Sequence, residues 1–204
     1  MKNCCTSTSS TAEAGMRTSD QQRIVLISPY DLGRQPFALA EPAALFRSAD
    51  FEVECLDLSQ QKLTGDILEP ASVVFLYLSM LTATRIAVEA MPRIQQMAPR
   101  ARIAVFGWYA PVNEKFLRQL GADAVFGGES ETDMLSYAES ISAADDHPAR
   151  QQRVVNLKRI DFMVPDRHSL PALEKYSQLI FPDGHRRIMG FTETTRGCKH
   201  LCRH

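Results

Sequence analysis

The sequence predicts an open, parallel α/β sheet covered by helices, and three observations predict it. Short, uninterrupted apolar runs recur, as in Ile24-Val25-Leu26-Ile27 and Val73-Val74-Phe75-Leu76. Strands buried on both faces have this composition, whereas half-solvated strands alternate. Segments with apolar residues at helical spacing separate most of these runs, which is the pattern of right-handed parallel crossovers. Turn residues (Pro, Gly, Ser, Asp) then sit where each run ends.

Taken in order, 24–28 is the first strand, followed by a turn-rich Pro29-Tyr30-Asp31-Leu32-Gly33. Phe37, Ala40, Ala44 and Leu45 mark the first helix, with Pro42 expected in its first turn or at a kink. The second strand is 51–58 and the third 72–78. A helix over 82–98 carries Ile86, Ala90 and Ile94 on one face, and the fourth strand is 102–107. A helix over 113–120 closes at Gly121, a glycine suited to the left-handed cap position. The fifth strand is 122–126, and the last helix 129–141. Five strands connected in this way predict the flavodoxin-like (Rossmann-type) order 2-1-3-4-5.

The flanks differ in character. Residues 1–22 are rich in Ser and Thr and predict a disordered tail. The α/β domain spans 23–144, and the polar stretch 142–150 (SAADDHPAR) marks its boundary. Residues 145–186 form a connector punctuated by Pro165, Pro171 and Pro182, with a brief strand at 154–157 and a short helix at 173–179. A final strand is expected over 187–195.

Composition excludes several classes. The chain has 204 residues, 45% hydrophobic and 23% charged, a net charge of -1 and a mean hydropathy of -0.19. That balance offers no electrostatic basis for binding nucleic acid or an anionic membrane. No apolar run approaches the ~20 residues that span a bilayer, and no hydrophobic segment follows Lys2 as a signal peptide requires. A cytoplasmic location is expected, with a small-molecule cofactor as partner and no partner protein identifiable. The five cysteines (Cys4, Cys5, Cys55, Cys198, Cys202) form no disulfide framework; Cys55 suits a buried strand position, and the last two have motif-like spacing.

Ligands of doubly wound sheets lie beyond the carboxyl ends of the strands, at the switch point in strand order. Here that is between strands one and three. The candidate ligand loops therefore carry Tyr30, Asp31, Leu32 and Gly33; Ser79, Met80 and Thr82; Gly107 and Tyr109, beside Trp108; and Gly128 and Glu129. Glycines permit close backbone approach to a large flat ligand, and the aromatic rings offer apolar faces. The sequence SPYDLGRQ after strand one is not G-x-G-x-x-G, which disfavours a nicotinamide cofactor. Leu78-Ser79-Met80 supplies no acceptor aspartate at the end of strand three, which weakens a receiver-domain reading.

The C-terminus reads GFTETTRGCKHLCRH. Glu193, Arg196, Gly197, Cys198 and Cys202 match a Glu-x-x-Arg-Gly-Cys approach to a C-x3-C-x2-C motif, and this resembles the cluster loop of radical S-adenosylmethionine (radical SAM) proteins with a cobalamin-binding domain. The stretches LISPYDLGRQPFALAEPAALFR, LYLSMLTATR, FGWYAPVN and GADAVFGGESE resemble, more narrowly, the subgroup named for a CUAEP or CCAEP tail. The resemblance implies a cobalamin-binding-type domain formed by the loops above, and a 4Fe–4S cluster on thiolates Cys198 and Cys202 with S-adenosylmethionine on the open iron. Thiolates suit iron–sulfur clusters. The third cysteine of the motif is due at position 205, so the resemblance implies an incomplete cluster site in this chain, with 187–204 opening a barrel that is otherwise missing. Neither substrate nor reaction type is implied beyond methyltransferase-like chemistry. The D-x-H-x-x-G motif of histidine-ligating cobalamin domains is absent, since Leu32 and Gly33 follow Asp31 and residues 23–146 hold no His. A cofactor-free binding or scaffold module is the rival expectation.

Overall fold

The computed structural model describes residues 21–142 and 154–196. Most of the expected tail, most of the polar boundary at 142–150, and both Cys198 and Cys202 lie outside the described residues.

Six parallel strands form the main sheet: β1 (Arg23–Ser28), β2 (Glu52–Asp57), β3 (Ala71–Tyr77), β4 (Arg102–Phe106), β5 (Ala124–Gly128) and β6 (Val155–Asn156). Their order is β2-β1-β3-β4-β5-β6, so the expected 2-1-3-4-5 core is present with one strand added. The addition has a hydrogen-bonding cause. β5 is otherwise an edge, and the amides of Gly127 and Glu129 donate to the carbonyls of Val154 and Asn156 (both 2.7 Å).

The helices are α1 (Phe37–Ser48), the single turn α2 (Gly65–Leu68), α3 (Leu81–Met97), α4 (Glu114–Gln119) and α5 (Glu131–Ser142). Pro42 lies in the second turn of α1, where its missing N–H forfeits one intrahelical bond. Gly121 ends the α4 segment at φ +101°, and a Cβ there would strike the Gln95 side chain.

Alternation along each strand explains the two-sided burial. Val25, Ile27, Leu56, Val74 and Leu76 pack against Ala87, Met91 and Ile94 of α3 and Leu117 of α4. Ile24, Leu26 and Phe75 face Leu39, Ala43 and Phe46 of α1 and Met134 and Ala138 of α5. Phe75 is the hub of that second layer, with the rings of Phe46, Phe106, Phe126 and Tyr137 centred 5.3 to 6.4 Å away. Each fully buried side chain of this size contributes about 1.5–3 kcal/mol.

The later elements depart from expectation. In place of a helix over 173–179 there is one 3-10 turn at Leu173–Lys175, then β7 (Gln178–Ile180). The expected strand over 187–195 is β8 (Arg186–Ile188), antiparallel to β7, and it stops there. Pro182-Asp183-Gly184 turns the chain, with Gly184 at φ +84° and the Phe181 amide donating to the His185 carbonyl (3.0 Å). A hairpin pairs locally and has no need of a longer strand. Residues 166–177 lie along α1 and the β1 end, and Leu170 joins the second core layer. No helix among the described residues is long and apolar enough to cross a membrane.

Candidate functional site

Three of the four loops named from the sequence meet at the carboxyl ends of β1, β3 and β4. After β1, Leu32 (φ +53°) and Gly33 (φ +73°) both take left-handed conformations, and the Arg34 amide closes the turn on the Asp31 carbonyl at 2.9 Å. Leucine adopts that conformation at a cost of about 1–2 kcal/mol, and its side chain is left 53% exposed. Asp31 is buried. Burial raises its pKa, and Arg34, with Nη2 3.4 Å from Oδ1, opposes that rise.

Two hydrogen bonds tie the next loops to this one. The Ser79 hydroxyl donates to the Tyr30 carbonyl (3.4 Å), and the Tyr109 amide donates to the Leu78 carbonyl (3.0 Å). Gly107, at φ +105°, is required there, because a Cβ would come within 2.8 Å of the Leu78 oxygen and the Tyr77 ring. Met80 precedes α3 and accepts from both the amide and the hydroxyl of Thr84, while Thr82 stands exposed in the first turn. The joined loops present apolar side chains to solvent: Leu32, Leu81 (62%), Trp108 (64%) and Tyr109 (37%). Exposed apolar groups gathered at this end of the sheet make it the candidate binding face.

Two of the named glycines are packed by later segments. A Cβ on Gly33 would meet the Ser177 hydroxyl at 2.9 Å, and Ser177 donates to the Gly33 carbonyl from its amide and its side chain. A Cβ on Gly128 would collide with the Asn156 backbone. The β5–α5 loop stands further along the same sheet end, where Gly128 lines a cleft with Gly107 and Trp108; the Glu129 amide bonds to Asn156, and Gly33 is packed by the connector.

Glu129 belongs to a charged socket. Arg196 Nη2 lies 2.6 Å from Glu41 Oε2, and Nη1 lies 3.0 Å from Glu129 Oε2 and 2.5 Å from Glu131 Oε1; Nε is 3.6 Å from Glu193. Burial works against the guanidinium charge, but Glu131, Glu41 and Glu129 outweigh it and raise its pKa. Burial likewise raises the pKa of Glu41, against the pull of Arg196. Sequence reasoning named Glu129, Glu193 and Arg196 but missed Glu41 and Glu131, which look like ordinary solvated helix charges. Between the socket and the apolar face lies a cleft of about 50 Å³, lined by Tyr77, Gly107, Trp108, Glu131, Glu193 and Arg196 among others. Among the described residues, no group of three or more His, Cys, Asp or Glu side chains is placed to hold a metal ion.

The fold is that of a flavodoxin-like, Rossmann-type α/β domain. It is similar to the radical S-adenosylmethionine methyltransferase TsrM from Kitasatospora setae with cobalamin and a [4Fe-4S] cluster bound, at a TM-score of 0.52 and 17% identity over 62% of this chain and 27% of that one. A second structure of TsrM, with tryptophan substrate and a SAM analogue bound, matches at a TM-score of 0.51, with the same identity and coverage. Oxidised flavodoxin 1 from Bacillus cereus matches at 0.41 and 17% identity, over 61% of this chain and 100% of that one. The chain spans about a quarter of the length of the TsrM structures it matches. No protein-family model and no curated protein matches it.

Proposed function

We propose that this chain is the cobalamin-binding-type region of a radical SAM protein, holding a corrinoid against the apolar face of the β1, β3 and β4 loops. The observation that carries the reading is the joining of those loops at the switch point, with Leu32, Leu81, Trp108 and Tyr109 all turned to solvent. The fit to a corrinoid is specific in kind. A broad, flat macrocycle suits an open apolar face built on close-packed backbone at Gly107, and is far too large for the neighbouring 50 Å³ cleft. Residues 23–142 contain no imidazole, so these elements would hold the corrinoid without a histidine ligand to cobalt. A corrinoid supplies a cobalt able to carry a methyl group.

Cys198 and Cys202 would provide two thiolates of a 4Fe–4S cluster that binds S-adenosylmethionine, and the motif's spacing puts a third at position 205, one residue beyond His204. Reductive cleavage of S-adenosylmethionine and methyl transfer would belong to the whole protein.

The test is retention of hydroxocobalamin by the purified chain through gel filtration, read by corrin absorbance in the visible. Retention that falls at least about tenfold in Trp108→Ala and Leu81→Asp supports the reading; both side chains are exposed, so the fold should be unaffected. Retention unchanged in both variants would remove the apolar face as the site. A chain that stays colourless at every ligand concentration would leave the cofactor-free module.

A further inference from the structure

Residues 182–196 meet the α/β body at two points. At the first, the Phe191 ring stands edge-on to Phe37 (centroids 6.2 Å apart), with the Arg34 guanidinium 4.4 Å from its centroid. Its carbonyl also accepts from Arg167 Nη2 (2.5 Å). At the second, Arg196 enters the carboxylate socket. Residues 182–190 and 192–195 are exposed, so the segment is a strap held at its middle and its end.

The second anchor differs in kind from the first. Its three carboxylates come from separate places: Glu41 from α1, Glu129 from the loop after β5 and Glu131 from α5. Their side chains keep only 6%, 21% and 11% of their exposure, and Glu131 Oε2 is buried with no hydrogen-bond partner among the described residues. Three like charges brought this close repel one another, and among the described residues Arg196 is the cation they share. A planar guanidinium offers five donors in one fork and serves several carboxylates together; a lysine ammonium does so poorly. The Phe162 ring lies 5.1 Å from the same guanidinium.

We infer that Arg196 is a positioning residue, a charge latch that seats the strap on the α/β body, and that Glu41, Glu129 and Glu131 form a receptor selective for arginine. The latch fixes where the strap ends on the domain. It also walls the cleft beside Trp108, which Glu193 and Arg196 line. This inference concerns contacts within the chain and holds whether or not a corrinoid binds.

Trypsin tests it, because the protease must take the arginine side chain into its own pocket and cannot do so while the socket holds it. Cleavage after Arg196, followed as the 188–196 peptide by mass spectrometry, is compared with cleavage after Arg187 in the exposed hairpin. The expected result is cleavage after Arg196 at least about tenfold slower than in the urea-unfolded chain, with Arg187 cut readily. Glu41→Gln combined with Glu131→Gln should abolish that protection without changing the rate at Arg187. About 1 M salt should weaken it in the wild-type chain. Arg196→Lys should be cut faster than the native arginine, the reverse of the protease's own preference. Equal rates at Arg196 and Arg187 in the native chain would overturn the latch. So would protection that survives both the double substitution and salt. If the double variant unfolds, as cuts within the sheet, at Arg102 of β4, would reveal, the salt and lysine arms decide.

Discussion

Arg47 Nη1 lies 2.6 Å from Asp166 Oδ2, joining α1 to a residue 119 positions further along the chain. The other terminal nitrogen of Arg47 donates to the Val53 carbonyl (2.7 Å) and the Ser169 hydroxyl (2.8 Å). One guanidinium thus bonds α1, β2 and the connector together. Asp166 adds its own amide to the Ala40 carbonyl (2.8 Å), and Leu170, four residues on, is buried in the second core layer. By composition residues 154–186 suit a linker; by contact they are laid along α1.

The protonation of Asp166 makes this junction sensitive to acid. Burial pushes its carboxyl upward, but the His168 amide and the Arg47 guanidinium hold it below the ordinary aspartate value of 3.8. A depressed carboxylate contributes stability above its unfolded pKa and loses it as the pH falls through the folded one. Arg47→Ala should therefore cost roughly 1–2 kcal/mol in urea unfolding at pH 7, a figure already reduced for the partial exposure of both partners. The difference from the wild-type chain should narrow below about pH 3.8. A gap that stays constant down to pH 3 would mean that Asp166 contributes nothing to it.

Two glycines of positive φ should respond differently to alanine. Gly184 (φ +84°) turns the β7–β8 hairpin with open space where a Cβ would go. Gly184→Ala should cost only the left-handed penalty, about 1–2 kcal/mol, confined to the hairpin. Gly128 (φ +71°) has the Asn156 backbone in the path of a Cβ. Gly128→Ala adds a collision to that penalty, so it should exceed Gly184→Ala by at least about 1 kcal/mol and separate β6 from β5. Hydrogen exchange at the Gly127 and Glu129 amides, which β6 protects, measures the separation. Slow exchange retained in Gly128→Ala would contradict the clash.

The sheet order was legible because β1 and β3 are unbroken apolar runs and Gly121 stops its helix where the pattern ends. β6 was not, since two residues carry no periodicity and its pairing depends on where the chain returns. The β7–β8 hairpin did leave a signal, Asp183-Gly184 between Leu179-Ile180 and Arg187-Ile188, which the prolines around it obscured. At the candidate site, loop position and residue type pointed to Leu32, Trp108 and Tyr109. Gly33 and Gly128 carried the same signal, and both are in addition closely packed, by Ser177 and Asn156. Glu41 had no signal at all: a glutamate in an apolar helix declares its burial only through a partner 155 residues away.

Cys55 provides a chemical check on the same packing. It sits in β2 at 1% exposure, in the layer that Leu170 of the connector completes. Burial pushes its thiol up to about 11 from 9.0, against weaker opposing pulls from the Ser169 hydroxyl and Arg47. The thiolate is the reactive form, so at pH 8 the shift alone lowers reactivity roughly a hundredfold, and exclusion of the reagent lowers it further. Iodoacetamide should leave Cys55 unmodified in the native chain and alkylate it promptly in urea, as peptide mapping by mass spectrometry would show. Arg47→Ala, which loosens the connector over this strand, should raise the native rate while leaving the rate in urea unchanged. If Cys55 is instead alkylated as fast in the native chain as in urea, the connector does not cover β2 in solution.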